Sequence, residues 1–140
     1  MCIRDSIDTG GIATASVTSA FELDDADLDT EGIAYNASQP GFVYVAHERD
    51  TDAAEVIPGV RQYNVATGEI TSDVQLPAIW QTDGNTVRNR GFESLAWHPG
   101  GRTMWTANEE ALTIDGDLAT DQEGTVVRLQ QLIHLSLIHI

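Results

Sequence analysis

The chain has 140 residues, and its 22 acidic residues against seven basic ones give a formal net charge of −15 at pH 7. A field of this sign repels phosphate backbones and argues against nucleic-acid binding through charge attraction. All seven basic residues are arginine, which excludes chemistry that requires lysine. With 41% hydrophobic and 21% charged residues, the composition is that of a globular domain, and no apolar stretch is long enough to cross a bilayer.

The two ends of the chain are related at the nucleotide level. The string ATG TGT ATA AGA GAC AG encodes residues 1–6, and its reverse complement, extended by flanking bases, reads CTG TCT CTT ATA CAC ATC, which encodes residues 135–140. An inverted repeat of this kind is typical of sequencing-adaptor read-through. We therefore expect residues 1–6 and 135–140 to be adaptor-derived and residues 7–134 to be a partial domain. The single cysteine, Cys2, falls in the first segment, so no thiol chemistry is expected elsewhere.

In chain order, alternating and β-rich runs predict an all-β chain of short antiparallel strands, and no segment has a helical stripe. The predicted strands cover residues 12–23, 32–36, 42–47, 60–65, 69–76, 94–98, 103–107 and 125–131. The predicted connections are an acidic loop at 24–29, turns at 37–41, 66–68 and 99–101, and a polar loop around 83–85.

An internal repeat organises these strands. The string EGIAY at residues 31–35 matches ESLAW at 93–97 with an offset of 62, and YVAHE at 44–48 matches WTANE at 105–109 with an offset of 61. A β-propeller blade usually repeats every 40 to 50 residues or so, and a four-stranded blade with enlarged loops fits the longer period. We therefore predict about two blades of a β-propeller built from four-stranded antiparallel sheets. A small complete β-sandwich is the alternative.

The repeat places glutamates in pairs. Glu31 begins one strand and Glu48 ends its hairpin partner, so both lie at the same end of an antiparallel pair, and Glu93 and Glu109 repeat the arrangement. In neighbouring blades the four side chains would gather on one rim. Carboxylates placed together raise one another's pKa unless a cation or an arginine intervenes, which suits a calcium site or an acid/base pair. The alternative is that acidic residues flank strands because loops are polar, as part of a solvated acidic surface.

Arginines stand next to these glutamates in the sequence. They are Arg49, Arg88 and Arg90. A guanidinium group binds a phosphate or a carboxylate through two points. Binding of a substrate phosphate and pairing with a nearby glutamate are both open readings.

Other polar residues give weaker signals. Asn89 and Asn108 are placed to orient a ligand, although asparagine is also common in turns. His47 has Asn108 as its repeat equivalent, which excludes any role that needs histidine in both copies. The acidic stretch 115–121 fails the EF-hand pattern, because Ala119 and Thr120 occupy the positions that require an acidic residue or asparagine and a glycine.

Four strings in the chain resemble those of a known family: DTEGIA at residues 29–34, ER at 48–49, NRGFESLA at 89–96 and ANEEAL at 107–112. Over residues 22–129 the chain resembles the phytase-like domain, which is also described as having esterase-like activity of phytase. The resemblance implies a secreted or periplasmic β-propeller that acts on phosphoesters, with calcium as its cofactor. It also implies an active region of repeated acidic residues. In this chain these are Asp29, Glu31, Glu48, Glu93 and Glu109.

The sequence thus predicts a metal-assisted phosphoester hydrolase. The predicted catalytic residues are Glu31, Glu48, Glu93 and Glu109. The predicted substrate-binding residues are Arg49, Asn89, Arg90 and Asn108, and the predicted calcium ligands are Asp29, Glu31, Glu93 and Glu109. The expected partner is a small-molecule phosphoester, with no nucleic acid and no membrane span. The alternatives are a non-catalytic extracellular propeller that binds a ligand or a protein on the same rim, and structural blades of a larger adhesin-like chain.

Overall fold

The computed structural model describes residues 20, 22–23, 28–50 and 57–133, except for the side chains of residues 49 and 50. The elements in these residues are β1 (Leu28–Tyr35), β2 (Phe42–Asp50), β3 (Gly59–Asn64), β4 (Ile70–Asp73), α1 (Ala78–Gln81), β5 (Ala96–Trp97), β6 (Thr103–Ala107) and β7 (Leu129–Ile133). Strands β1 to β4 form one antiparallel sheet in that order, and β5 to β7 form a second. The predicted all-β class is confirmed.

Side-chain hydrogen bonds shape the two tight turns of the four-stranded sheet. After β1, Asn36 Oδ1 accepts hydrogen bonds from the Ser38 backbone N–H at 3.0 Å and from Ser38 Oγ at 2.7 Å. After β3, Asn64 Oδ1 accepts one from the Ala66 N–H at 2.8 Å, and Gly68 has φ +78°, a conformation that glycine adopts without strain. Both turns lie where the sequence predicts them.

Several strand boundaries differ from the prediction: β4 ends at Asp73 instead of residue 76, and β5 covers only Ala96–Trp97 instead of residues 94–98. Strand β1 begins at Leu28, inside the predicted acidic loop, because β2 continues far enough for Leu28 to pair with Asp50. Residues 125–128 precede β7 and are not in a strand. The predicted strand at 12–23 lies outside the described residues, except for positions 20, 22 and 23, which are not in a strand.

Helix α1 was not predicted. It has four residues and follows Pro77, and its Trp80 side chain is fully buried against Phe92, with ring centroids 4.7 Å apart. The turn therefore forms to place an indole in the core rather than through local helix propensity. No helix in the described part of the chain is long and apolar enough to span a membrane.

The internal repeat is confirmed by strand register. Three pairs of β1 and β2 have exact counterparts at the repeat offsets. Thr30–His47 corresponds to Phe92–Asn108, Ala34–Tyr44 to Ala96–Trp105, and Tyr35–Val43 to Trp97–Met104. Between the first and second of these pairs, the first strand of each hairpin contains one residue more than its partner. In β1 the extra residue is Glu31, which makes a β-bulge between Thr30 and Gly32.

The two sheets pack through unlike faces. Tyr44 and Ala46 of the four-stranded sheet join a common core with Met104 and Leu132 of the three-stranded sheet. The repeat equivalent of Tyr44 is Trp105, which alternation along β6 places on the opposite face from Met104. Each sheet therefore offers a different face to this interface, as neighbouring blades of a β-propeller do.

Two glycines bring the sheets close together at the ends that carry the glutamates. A Cβ atom on Gly32 would lie 2.7 Å from the backbone N of Leu95 and the backbone C of Ser94. A Cβ atom on Gly91 would lie 3.0 Å from Glu48 Cα. Side chains at the ends of β1, β2 and the segment before β5 are consequently within reach of one another.

Candidate functional site

Glu48 is directed into the interface by strand alternation. It lies two residues beyond Ala46 on β2, on the face that packs against the three-stranded sheet. The residue is 2% exposed, and its Oε1 accepts a hydrogen bond of 3.0 Å from the backbone N–H of Gly91. The sequence prediction that Glu48 meets residues of the second repeat is thereby explained in structural terms.

Glu93 and Glu109 are held by the backbone of the second hairpin. The Phe92–Asn108 bridge is flanked by two hydrogen bonds, from Glu93 N–H to the Ala107 carbonyl at 3.0 Å and from Glu109 N–H to the Gly91 carbonyl at 2.9 Å. These bonds place both glutamates at the same end of the sheet.

Three carboxylates meet at this point. Glu48, Glu93 and Glu109 each contribute one carboxylate oxygen that lies within 4.8 Å of the other two. Glu48 is buried, whereas Glu93 and Glu109 are exposed. We call these three residues the carboxylate cluster.

Glu31 and Asp29 lie close enough to interact with the carboxylate cluster electrostatically. Glu31 is exposed, but a limited loss of hydration raises its pKa, and the negative charges of Glu93, Asp29 and Glu109 raise that pKa further. Glu31 is the extra residue of the β1 bulge, and bulges redirect side chains at the ends of strands. All five acidic residues that the sequence singles out therefore interact electrostatically at one end of the two sheets.

The pKa of Glu48 is well above the ordinary value for a glutamate. Burial, the hydrogen bond with Glu93 and the charges of Glu93 and Asp29 together raise the pKa of Glu48 to about 7, and burial is the largest of these causes. The hydrogen bond from Gly91 N–H opposes this shift. Near neutral pH, Glu48 can therefore hold a proton that it donates to Glu93, as in paired carboxyl groups that serve as acids and bases.

Arg90 is engaged by two carboxylates. Its Nη1 lies 2.5 Å from Glu109 Oε1, and its Nε lies 3.5 Å from Glu110 Oε1. The hydrogen bond to Glu109 is the main cause of the raised pKa of the Arg90 guanidinium. The sequence left two roles open for these arginines, binding of a substrate phosphate and pairing with a glutamate. Arg90 pairs with a glutamate, and its partner is Glu109 rather than Glu93, which is nearer in the sequence.

The other predicted substrate-binding residues are placed as follows. Asn108 is buried, its Oδ1 accepts a 2.6 Å hydrogen bond from the Arg128 N–H, and its Nδ2 donates one to the Glu110 carbonyl. Asn89 is exposed and has φ +56° in the turn before Arg90. The side chain of Arg49 lies outside the described part of the structure. The substrate-binding roles of Asn89, Asn108 and Arg49 stay predictions.

The carboxylate cluster has the geometry of a site that can hold a metal ion, and calcium is the ion expected from the sequence. Calcium binds carboxylate oxygens at about 2.3–2.6 Å, so oxygens on opposite sides of the ion are roughly 5 Å apart. Three oxygens within 4.8 Å of one another meet this requirement. Glu93 and Glu109 were predicted as calcium ligands from the sequence, whereas Glu48 was given only a catalytic role. The repeat carried a signal for the position of Glu48 in this cluster, because Glu48 is the repeat equivalent of Glu109.

A family model described as "Phytase-like: Esterase-like activity of phytase" matches residues 2–133, which is most of the chain. The chain belongs to the phytase-like family. Searches of curated proteins and of solved structures gave no significant match. The suspected family is thus confirmed, and the hydrolase character that its description suggests directs attention to the carboxylate cluster.

His47 of this phytase-like domain is separated from the carboxylate cluster although it is adjacent to Glu48 in the sequence. Successive residues of a strand point to opposite faces, and the buried His47 lies on the face of β2 away from the three-stranded sheet. It lines a cleft of about 330 Å³ with Gly59, where an added Cβ would come within 2.2 Å of His47 Nε2. The geometry does not support a direct catalytic pairing of His47 with Glu48.

Proposed function

We propose that this phytase-like domain hydrolyses phosphoesters at the carboxylate cluster, with the assistance of a calcium ion. The observation that carries the proposal is the meeting of Glu48, Glu93 and Glu109 within 4.8 Å, with Glu48 able to hold a proton near neutral pH. The family description supports an esterase-like reaction. We also propose a secreted or periplasmic location, as the family resemblance implies.

The charge of the site supports a need for a divalent cation. Five acidic residues interact at this rim, and the one arginine that pairs with them in the described residues is Arg90. An anionic phosphoester would be repelled by this excess of negative charge. When bound, calcium would offset that charge and polarise the phosphoryl oxygens.

The chain's own residues have separable roles in the proposed reaction. Water attacks phosphorus while an ionised carboxylate, Glu93, accepts a proton from it, and the bond from phosphorus to the ester oxygen breaks. Glu48, the buried member of the carboxylate cluster, is the proposed donor of a proton to the leaving alkoxide, and this role requires that Glu93 and Glu109 hold the calcium ion while Glu48 stays protonated. Arg90 offsets charge on the phosphoryl oxygens.

A second candidate function is calcium-dependent binding of a ligand without turnover. The exposure of Glu93 and Glu109 favours it, because the carboxylate cluster lies open to solvent rather than enclosed in a cleft. This candidate uses the same residues and differs only in the absence of hydrolysis.

The test is phosphate release from a panel of phosphomonoesters by the full chain, with calcium and with a chelator. We expect calcium-dependent release and a loss of about 100-fold or more for Glu93→Gln, because it removes a group that acts in the transition state. Glu69→Gln is the matched control, since Glu69 is exposed on the β3–β4 turn and should be without effect. Saturable calcium binding without release would instead establish the binding function, and unchanged release by Glu93→Gln would reject the site.

A further inference from the structure

Arg90 forms an ion pair with Glu110, a residue that is not among the site residues predicted from the sequence. Glu110 Oε1 lies 3.5 Å from Arg90 Nε, and Glu110 Oε2 accepts a 2.9 Å hydrogen bond from the Ala119 N–H. The Glu110 carbonyl accepts a hydrogen bond from Asn108 Nδ2. Both the side chain and the backbone of Glu110 are therefore fixed.

The loop after Glu110 is itself firmly attached. Arg128 binds Asp115 through two hydrogen bonds of 2.6 Å, and the Ala111 N–H donates to Thr125 Oγ1 at 3.0 Å. Leu112 is fully buried in the core shared by the two sheets. Glu110 thus connects Arg90 to a segment that is held in place by hydrogen bonds and by the burial of Leu112.

The repeat shows that this pair is specific to the second hairpin. At the repeat offset of 61, the equivalent of Glu110 is Arg49, which has the opposite charge. At the offset of 62, the equivalent of Arg90 is Leu28. The first repeat contains neither member of the pair, so Arg90 and Glu110 form one unit added at one end of the carboxylate cluster.

We infer that Glu110 is a positioning residue that acts through Arg90. Glu110 holds the guanidinium by Nε, which presents Nη1 to Glu109 and directs further N–H donors of the fork toward a phosphoryl oxygen. The involvement of a phosphoryl group rests on the proposed function, whereas the placement of Arg90 by Glu110 does not.

Two consequences follow for binding. Without the Glu110 carboxylate, Arg90 must be ordered when the substrate binds, which raises KM but leaves kcat nearly unchanged. Arg90 would also pair with Glu109 alone and would compete more strongly with a cation for that carboxylate. Glu110→Gln is therefore expected to weaken calcium binding although Glu110 is not a ligand in the carboxylate cluster.

The experiment is a double-mutant cycle of Glu110→Gln and Arg90→Gln, with Glu123→Gln as the control of equal charge change on the same loop. Calcium titration by calorimetry should show a loss of about two- to five-fold for Glu110→Gln. KM for p-nitrophenyl phosphate should rise by about three- to ten-fold with kcat within about two-fold. Glu123→Gln should match the wild type, and Glu110→Gln should have no further effect in the Arg90→Gln background.

A direct readout keeps the inference testable without turnover or calcium binding. The ¹⁵N NMR signal of the Arg90 Nε–H, assigned by its absence in Arg90→Gln, should shift and exchange faster with water in Glu110→Gln but not in Glu123→Gln. An unchanged signal, or an equal loss of calcium affinity with and without Arg90, would overturn the inference. A wild-type chain that releases no phosphate but shows the NMR change would reject the proposed function and retain the role of Glu110.

Discussion

The two hairpins of the repeat have the same register and give equivalent glutamates opposite surroundings. Glu48 is 2% exposed because the second sheet covers it through Gly91, whereas the equivalent Glu109 has 37% of its side chain exposed and pairs with Arg90. The backbone register therefore sets the position of each carboxylate. The neighbouring segment sets its surroundings, which are the Gly91 N–H and burial for Glu48 and the Arg90 guanidinium for Glu109. A repeated motif can in this way give two equivalent carboxylates different burial and different partners at one place in the fold.

The same contrast holds for the first strands of the hairpins. Phe92 is fully buried beside Trp80, and its equivalent Thr30 is exposed. Gly32 lies against the backbone of Ser94 and Leu95, which precede β5, whereas the side chain of its repeat equivalent, Ser94, is exposed. Positions that match in register thus differ in what they contribute to stability.

The largest expected effect on stability comes from Phe92, the fully buried residue of the second repeat. Phe92→Ala should lower the free energy of unfolding by about 3–5 kcal/mol, because it leaves a cavity against Trp80 in the common core. Thr30→Ala, the matched substitution in the first repeat, should change it by less than about 0.5 kcal/mol. Urea unfolding followed by tryptophan fluorescence measures both, and equal losses would contradict the difference in burial.

A smaller effect is expected where the sheets touch. Gly32→Ala should destabilise the chain by about 1–3 kcal/mol, since the new methyl group would stand 2.7 Å from backbone atoms that cannot rotate away. Gly41→Ala is the control, because a Cβ there has nothing within 4 Å. The same urea titration applies, and a stable Gly32→Ala variant would show that the sheets can separate without cost.

The smallest expected effect is the pH dependence of the calcium-free chain. The pKa of Glu48 is raised from 4.5 to about 7, so the folded state binds a proton that the unfolded state releases in this range. The contribution of Glu48 is fully present below pH 4.5 or so, and is lost as the pH rises through about 7, by on the order of 1–2 kcal/mol after screening by water.

The difference between the wild type and Glu48→Gln isolates this contribution. Thermal unfolding in chelator from pH 4 to 8 should show a fall in wild-type Tm relative to Glu48→Gln as the pH rises. Glu69→Gln should follow the wild type, because Glu69 is exposed on a distant turn. Parallel curves for the wild type and Glu48→Gln would show that Glu48 carries no proton in the folded chain.

Much of the architecture is predictable because its signals are local. Period-two alternation and turns such as those at Asn36 and Gly68 give the strands and their connections. The repeat adds a long-range signal, since equivalent strings must form equivalent hairpins. That signal predicts the gathering of the glutamates from the sequence.

The remaining features depend on contacts between distant segments. Helix α1 is stabilised by the packing of Trp80 against Phe92. Strand β1 begins at Leu28 because Leu28 pairs with Asp50 of β2. The pairing of Arg90 with Glu109 and Glu110 depends on the path of the loop that follows β6. No periodicity in the sequence carries this information.

The packing of unlike faces has a consequence for symmetry. A face that contains Tyr44 meets a face that contains Met104, so the interface is heterologous and is not complementary to itself. A twofold axis cannot generate such a contact, whereas a rotation applied repeatedly in one direction can. The operation that relates the two hairpins therefore has a fixed direction, and its repetition generates a ring, as in a β-propeller, when the rotation closes.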